Sequence, residues 1–499
     1  MSTRRRQLLS GGAVLIAGEL VVQLCGLLRN FIVARLIGPE PFGIAAALAM
    51  SVSLVEMISD LGAGRFLTRA HGEDGESWLS VAHGISVARG LLGGLALFIV
   101  AGPVAHFMRM PDATWAFRVV AIVPVVRGFT HNQIWLAQRE LRFKAFVACQ
   151  ALPQILLLLA AYPLAVWIPD FRALLWLLMA NAVISTALSH VVSRKPYRLA
   201  YDRDRFRRLL GFGLPLLGDG LLMFVVLHGE RIVVANVYGT SMPWLLGAYS
   251  AALLLAWTPA AIMGRVGLSL GVPHLASLRA DPAARDRQYS AGARAMGVPA
   301  LGLAVLFGFA GRDLVSAVFG EGYQLSHALA AWLGFGQALR IIRTFPVVIA
   351  IAEGVTLSAM LANLARAASV GVAWLAARAG QEPWTVLAIG AAGEAVGIAL
   401  CAGMNRWRLG VPAGAILPAL TVTSAGFAGA WWAGTLPQAA GLGVFARAAV
   451  GVGLGAIAAA IAGLADPATR VMIAGFLKRR ASATPMSRPT EVPTPHEAR

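Results

Sequence analysis

Ile32-Val-Ala-Arg-Leu-Ile-Gly-Pro-Glu-Pro-Phe-Gly-Ile-Ala45 closes one long apolar run and opens the next. The second half of the chain repeats the pattern: Val233-Val-Ala-Asn-Val-Tyr-Gly239 ends a run, and Leu246-Gly-Ala-Tyr249 begins another after a loop three residues longer. Working outward, apolar runs of about 20 residues recur to roughly residue 464, each long enough to cross ~30 Å of hydrocarbon as a helix. Barrel strands would be half that length and would alternate in polarity, which these do not. A helical membrane protein follows, because lipid offers the backbone no other way to satisfy its polar groups.

Composition agrees. Of 499 residues, 58% are apolar and 13% charged, about half the charge of a soluble domain. Mean hydropathy is +0.70. Spans are expected near 9–36, 42–64, 80–107, 115–138, 144–167, 172–193, 209–237, 244–270, 294–319, 326–350, 356–378, 384–405, 413–435 and 443–464. Seven basic clusters lie between them: Arg4–Arg6, Arg65/Arg69, Arg139/Arg142/Lys144, Arg194–Arg208, Arg279/Arg285/Arg287, Arg406/Arg408, and the tail from Arg470. With fourteen spans all seven alternate onto one face, the cytoplasmic face by the positive-inside rule, and both termini lie there. The formal charge of +18 is thus a topology signal and an attraction to anionic lipid. No basic face interleaved with aromatics supports nucleic-acid binding.

The repeat motifs lie six spans apart in the same orientation, the pattern of two parallel six-helix lobes facing a pathway. The expected units are an N-terminal lobe (1–195), a basic cytoplasmic linker (196–208), a C-terminal lobe (209–405), two additional helices (406–465) and a disordered basic tail (466–499). Met1-Ser-Thr-Arg-Arg-Arg6 and the following apolar stretch look like a secretory signal, but Gly18-Glu19-Leu20 replaces a cleavage site, so the first span is retained. The fold class is therefore all-α integral membrane, with about 14 transmembrane helices in two pseudo-symmetric six-helix lobes plus two C-terminal helices.

Arg29 to Gly43, Ser59-Asp-Leu-Gly-Ala-Gly64 and Ala137-Gln-Arg-Glu-Leu-Arg-Phe-Lys144 resemble stretches of bacterial oligosaccharide flippases of the O-antigen and exopolysaccharide (Wzx) type. The resemblance covers roughly residues 9–405. It places the chain in the multidrug/oligosaccharidyl-lipid/polysaccharide exporter superfamily. It implies a flippase of the bacterial inner membrane that moves undecaprenyl-diphosphate-linked oligosaccharide by alternating access for surface polysaccharide, alongside a polymerase and chain-length machinery. The exporters usually have twelve spans, so the extra pair favours the lipid-linked branch. The lipid II flippase carries an additional Arg where this chain has Gln23, which weighs against that member. The rivals are a small-molecule or multidrug exporter, a lipid II flippase and a membrane-embedded polymerase or glycosyltransferase. The last usually presents a sizeable outer loop, and every outer loop here is short.

An ionisable residue in mid-membrane costs several kcal/mol unless it faces a cavity or a partner, so each such residue is a candidate. Arg suits a diphosphate, being always charged with forked donors. Aligned on the repeat, Asp219 falls within a residue of Glu19, and Arg231 within two of Arg29. The expectation is that Arg29 and Arg231 neutralise the diphosphate, with Glu19 and Asp219 pairing with them between cycles or accepting a coupling ion. A structural ion pair between lobes is the alternative. Arg127 (one helical turn from His131), Arg265, Arg340 and Arg343 either line the cavity or snorkel to an interface. Glu56 and Asp60 share a face at i,i+4: one is protonated, giving a proton site, or Asp60 sits in water beside Arg65. Arg89, Arg366 and Glu394 are read as interhelical pairs. Tryptophans near span ends, such as Trp115 and Trp167, are interface anchors.

Three isolated cysteines, Cys25, Cys149 and Cys401, give no disulfide framework. No metal spacing, Gly-rich phosphate loop or enzyme signature is present, so no cofactor, metal or catalysis is expected. Energy would come from an ion gradient, the membrane potential or removal of product outside.

Overall fold

The computed structural model describes residues 3–64, 67, 75–139, 143–355 and 357–465. Thirteen of its helices are long and apolar enough to cross a membrane. The order is α1 (Thr3–Ile37), α2 (Pro39–Ile58), α3 (Gly75–Phe107), α4 (Thr114–Val120), α5 (Ile122–Gly128), α6 (Gln133–Arg139), α7 (Phe143–Trp167) and α8 (Arg172–Val192). After an extended linker come α9 (Arg203–Val233), α10 (Leu245–Val266), α11 (Val272–Ala276), α12 (Pro282–Ala295) and α13 (Gly297–Phe319). The chain continues with α14 (His327–Ala352), α15 (Leu357–Arg378), α16 (Pro383–Leu409), α17 (Leu417–Thr435), α18 (Pro437–Ala440) and α19 (Val444–Ala465). The tail from 466 lies outside the described residues, as does Arg65.

The expected fourth span, 115–138, is not one helix. It is three pieces, α4, α5 and α6, broken at Ala121 and again at 129–132. Pro124 explains the first break: it has no N–H and its ring clashes with the carbonyl four residues back. The second break leaves backbone donors that side chains satisfy, as lipid requires. His131 N donates to Ser189 Oγ (2.8 Å), Asn132 N to His83 Nε2 (3.0 Å) and Gln133 N to His131 Nδ1 (3.2 Å). The three pieces still run antiparallel along α3. Arg118 lies over Phe98, Gly128 abuts Gly90, and Leu136 packs with Leu79. Among the described residues there are thus thirteen long apolar helices and one composite of similar reach along α3.

Helices α1–α8 pack with one another, as do α9–α16; these two groups are called lobes below. Helices α17 and α19 lie against α13. A buried ion pair, Arg447 Nε to Asp313 Oδ2 at 3.2 Å, ties α19 to it. Between lobes, α2 runs along α9 and α10. Helix association in lipid depends on close backbone approach, and the α2–α10 crossing is made by Gly43 and Gly247. A Cβ on Gly43 would stand 2.9 Å from Gly247 N.

The end remote from the basic linker is sealed by contacts between lobes. Tyr323 Oη donates to Ala34 O (2.5 Å), Arg35 to Val318 O (2.9 Å) and Asn236 Nδ2 to Phe107 O (2.9 Å). Phe31 meets Phe319, and Phe42 meets Tyr323, edge to face.

Candidate functional site

Below that seal a cavity of about 1160 Å³ lies between the lobes. The N-terminal lobe lines it with Glu56 of α2, Ser86 and Arg89 of α3, Arg127 of α5, the break residues Thr130 and Asn132, and the amides Gln150, Gln154 and Asn181. The C-terminal lobe adds Asp219 and Met223 of α9 and Met360 and Asn363 of α15. The break in span four is what brings Thr130 and Asn132 to this wall.

The cavity's cations are already paired. Arg127 is held by Glu56, and Arg89 stands 3.6 Å from Asp60. Glu56 and Asp60 do not share a helix face as expected. Because α2 ends at Ile58, Asp60 lies in the following turn and accepts from Gly62 N (3.0 Å). His131 departs too: the break turns it away from Arg127. Its Nε2 bonds Lys195 O (3.0 Å), and it packs with His83, His190 and Tyr197 to dock the linker on the N-terminal lobe. The linker ends at Asp202, the N-cap of α9, whose carboxyl the Arg205 and Asp204 N–H groups hold below the usual carboxylate range.

Asn181 also lines a smaller annex of about 180 Å³. There Arg29 of α1 and Arg231 of α9, one from each lobe, face the same void with Asn30, Ser250 and Leu254. Arg29 donates to Gln154 Oε1 (3.1 Å), and Gln154 Nε2 donates to Asn181 Oδ1 (3.4 Å). The Nε atoms of both arginines are buried without a hydrogen-bond partner. No described carboxylate lies within ion-pair distance of either. Glu230, next to Arg231, points elsewhere: it accepts from Tyr249 Oη (2.8 Å) and Arg366 (2.7 Å). Two half-buried guanidiniums with no described carboxylate in contact, Arg231 offset only in part by the neighbouring Glu230 charge, are costly in lipid around one void, and an anion between them lowers that cost.

The expected pairing of Glu19 with Arg29 does not occur. Ten residues of helix separate them by ~15 Å. Glu19 instead pairs across the lobes with Arg265 of α10, just before the π-helical turn Gly267–Gly271. This pair lines a third cavity of about 400 Å³ between α1, α7 and α10 that shares Gln150 with the main one. Exposed Leu20, Leu268 and Leu270 line the same cavity and make its wall largely apolar. Asp219 does not pair with Arg231 either; it is exposed in the main cavity, without a cation partner among the described residues.

Arg343 lines none of these cavities. It belongs to a network inside the C-terminal lobe: Arg343 Nε to Glu394 Oε1 (2.6 Å), Arg366 Nε to Glu394 Oε2 (3.7 Å) and Arg366 to Glu230 (2.7 Å). Arg343 also donates to Asn363 Oδ1 (2.9 Å), linking the network to the main cavity wall. Arg366 and Glu394 form interhelical pairs, as expected, whereas Arg89 pairs with Asp60 in the turn after α2. Among the described residues no group of His, Cys, Asp and Glu could hold a metal ion.

The candidates that charge alone missed are the amides Gln150, Gln154, Asn181 and Asn363. Each is a hydrogen-bonding side chain inside an apolar run, a signal of the same kind as a buried charge but weaker.

Facing lobes around a polar cavity give the architecture of a polytopic membrane transporter. The fold matches the lipid II flippase MurJ in an inward closed conformation, with a TM-score of 0.68 at 10% identity over 94% of this chain and 100% of that one. It also matches an inward-facing multidrug resistance MATE family transporter of the MOP superfamily, with a TM-score of 0.52 at 14% identity over 83% and 98%. A family model, "Polysaccharide biosynthesis protein", matches residues 32–328, more than half of the chain. The chain therefore belongs to the polysaccharide biosynthesis protein family. Relatives include the succinoglycan biosynthesis transport protein ExoT of Rhizobium meliloti (26% identical, 47% of each chain). The lipopolysaccharide biosynthesis protein WzxC of Escherichia coli is 23% identical over 56% of each. The chain spans about half the length of these curated relatives.

Proposed function

We propose that this protein is a flippase that carries undecaprenyl-diphosphate-linked oligosaccharide across a bacterial inner membrane for surface polysaccharide synthesis. The single observation that carries the reading is the annex: Arg29 and Arg231, from opposite lobes, face one void with their Nε atoms buried and no described carboxylate within ion-pair distance. A diphosphate supplies that charge in forked geometry. The glycan occupies the adjoining main cavity, and the prenyl tail stays in lipid at the α1–α10 seam. The Glu19–Arg265 pair closes that seam between cycles. The basic end of the cavity faces the cytoplasm with both termini, and the lobes, 1–195 and 209–405, rock about the 196–208 linker to open the sealed end. Polymerase and chain-length machinery would act on the product outside.

Deleting the gene in its native host tests this. The expected result is lost surface polymer with undecaprenyl-diphosphate oligosaccharide accumulating on the cytoplasmic side. Normal polymer and an unchanged lipid-linked pool, with altered drug susceptibility, would replace the reading with small-molecule export.

A further inference from the structure

The main cavity sorts its charges in a way that bears on the glycan. Among the described residues two cations face it, and both are engaged: Arg127 by Glu56 and Arg89 by Asp60. A third carboxylate, Asp219, is exposed there with no cation partner among the described residues. The rest of the polar wall is chiefly neutral, made by Asn132, Gln150, Gln154, Asn181 and Asn363 together with serine and threonine hydroxyls. The arginines without a carboxylate partner around the cavities are in the annex, beyond Asn181.

An anion in the main cavity therefore meets one uncompensated negative charge. To obtain a positive one it must take Arg127 or Arg89 from its partner, leaving Glu56 or Asp60 as a further unpaired negative charge at the same wall. Sugar hydroxyls meet no such obstacle, since amides both donate and accept hydrogen bonds. The anionic end of the cargo and its glycan thus face chambers of opposite character.

We propose that the main cavity selects a neutral or amine-bearing oligosaccharide and disfavours glycans that carry carboxylates, with Asp219 as the residue that sets the preference. This rests on the flippase reading above and deepens it by naming the glycan class.

The test uses the full-length protein in proteoliposomes at low ionic strength. Two undecaprenyl-diphosphate tetrasaccharides are compared, one of neutral hexoses and one with a single hexose replaced by hexuronate. Translocation is read as exposure of the glycan to a membrane-impermeant glycan-modifying enzyme. The neutral lipid should move about tenfold faster, the effect of one like charge at close range in intermediate dielectric. Asp219→Asn should narrow the gap and Asp219→Arg reverse it. Should either variant be inactive, the relative affinity of the purified protein for the two lipids gives the same comparison without turnover. Equal handling of the two lipids by the wild type, or faster movement of the uronate, overturns the selectivity while leaving the flippase intact. If neither lipid moves, the flippase reading falls and the selectivity with it.

Discussion

The two chambers between the lobes treat charge in opposite ways. In the main cavity each arginine has a carboxylate: Arg127 with Glu56, Arg89 with Asp60. In the annex Arg29 and Arg231 have none. The same residue type, equally expensive in a membrane, is paired by the fold in one chamber and, on the proposed reading, neutralised by the ligand in the other. A buried arginine is thus informative about cargo only once its partners are known.

The most severe test of this contrast removes the annex charges. Arg29→Ala and Arg231→Ala should each lower export by about 30- to 100-fold, the loss of one or two charge-assisted bonds at ~2–3 kcal/mol, at wild-type protein level. The Lys variants should retain part of the rate. Surface polymer and the lipid-linked pool in complemented deletion strains give the readout. A fall in protein level with normal activity per molecule would make these arginines structural and erase the contrast.

The next test asks whether paired charges behave as fold. Glu394→Gln strips the C-terminal lobe network of its shared acceptor and should cost about 3–5 kcal/mol, as breaking a buried ion pair does. Thermal unfolding of the detergent-purified protein measures it. Glu56→Gln, at a pair with both side chains about 30% exposed, should cost about 1 kcal/mol or less. Equal losses would show that the cavity wall is as rigid as the lobe interior.

A smaller effect is expected at the Glu19–Arg265 seam between the lobes. Glu19→Gln and Arg265→Gln should each change the transport rate severalfold, and the Glu19→Arg/Arg265→Glu exchange should restore it, giving a coupling energy of about 1 kcal/mol in a double-mutant cycle. Additive effects would mean the two residues act separately. The smallest effect is at Asp60→Asn, a half-exposed carboxylate outside α2, whose stability change should stay within about 0.5 kcal/mol.

Much of the fold is legible in the sequence because a membrane imposes one rule on every span: an apolar run of fixed length between polar loops. Span four shows where that rule stops. Pro124 and Gly128 sit in an apolar run that reads as continuous, and only the partners that take up the freed N–H groups, Ser189 and His83, make the break stable. The site was legible in part for a different reason. The repeat gave Arg29 and Arg231 matching positions on matching spans, and the structure has them line one cavity. Which carboxylate meets which arginine was not legible. Glu19–Arg265 and Glu230–Arg366 join residues far apart in the chain, and such pairs are fixed by helix packing that no local pattern encodes. Glu19 could not reach Arg29 on the same helix, a constraint that the 1.5 Å rise already contains.

The central claim is that the two annex arginines hold a diphosphate. Its most direct test is the affinity of the purified protein, in lipid nanodiscs, for undecaprenyl diphosphate without any glycan. The account predicts specific binding that weakens at least tenfold in both Arg29→Ala and Arg231→Ala and is little changed in Glu56→Gln. Unchanged affinity in the two arginine variants, with the protein folded, would contradict it.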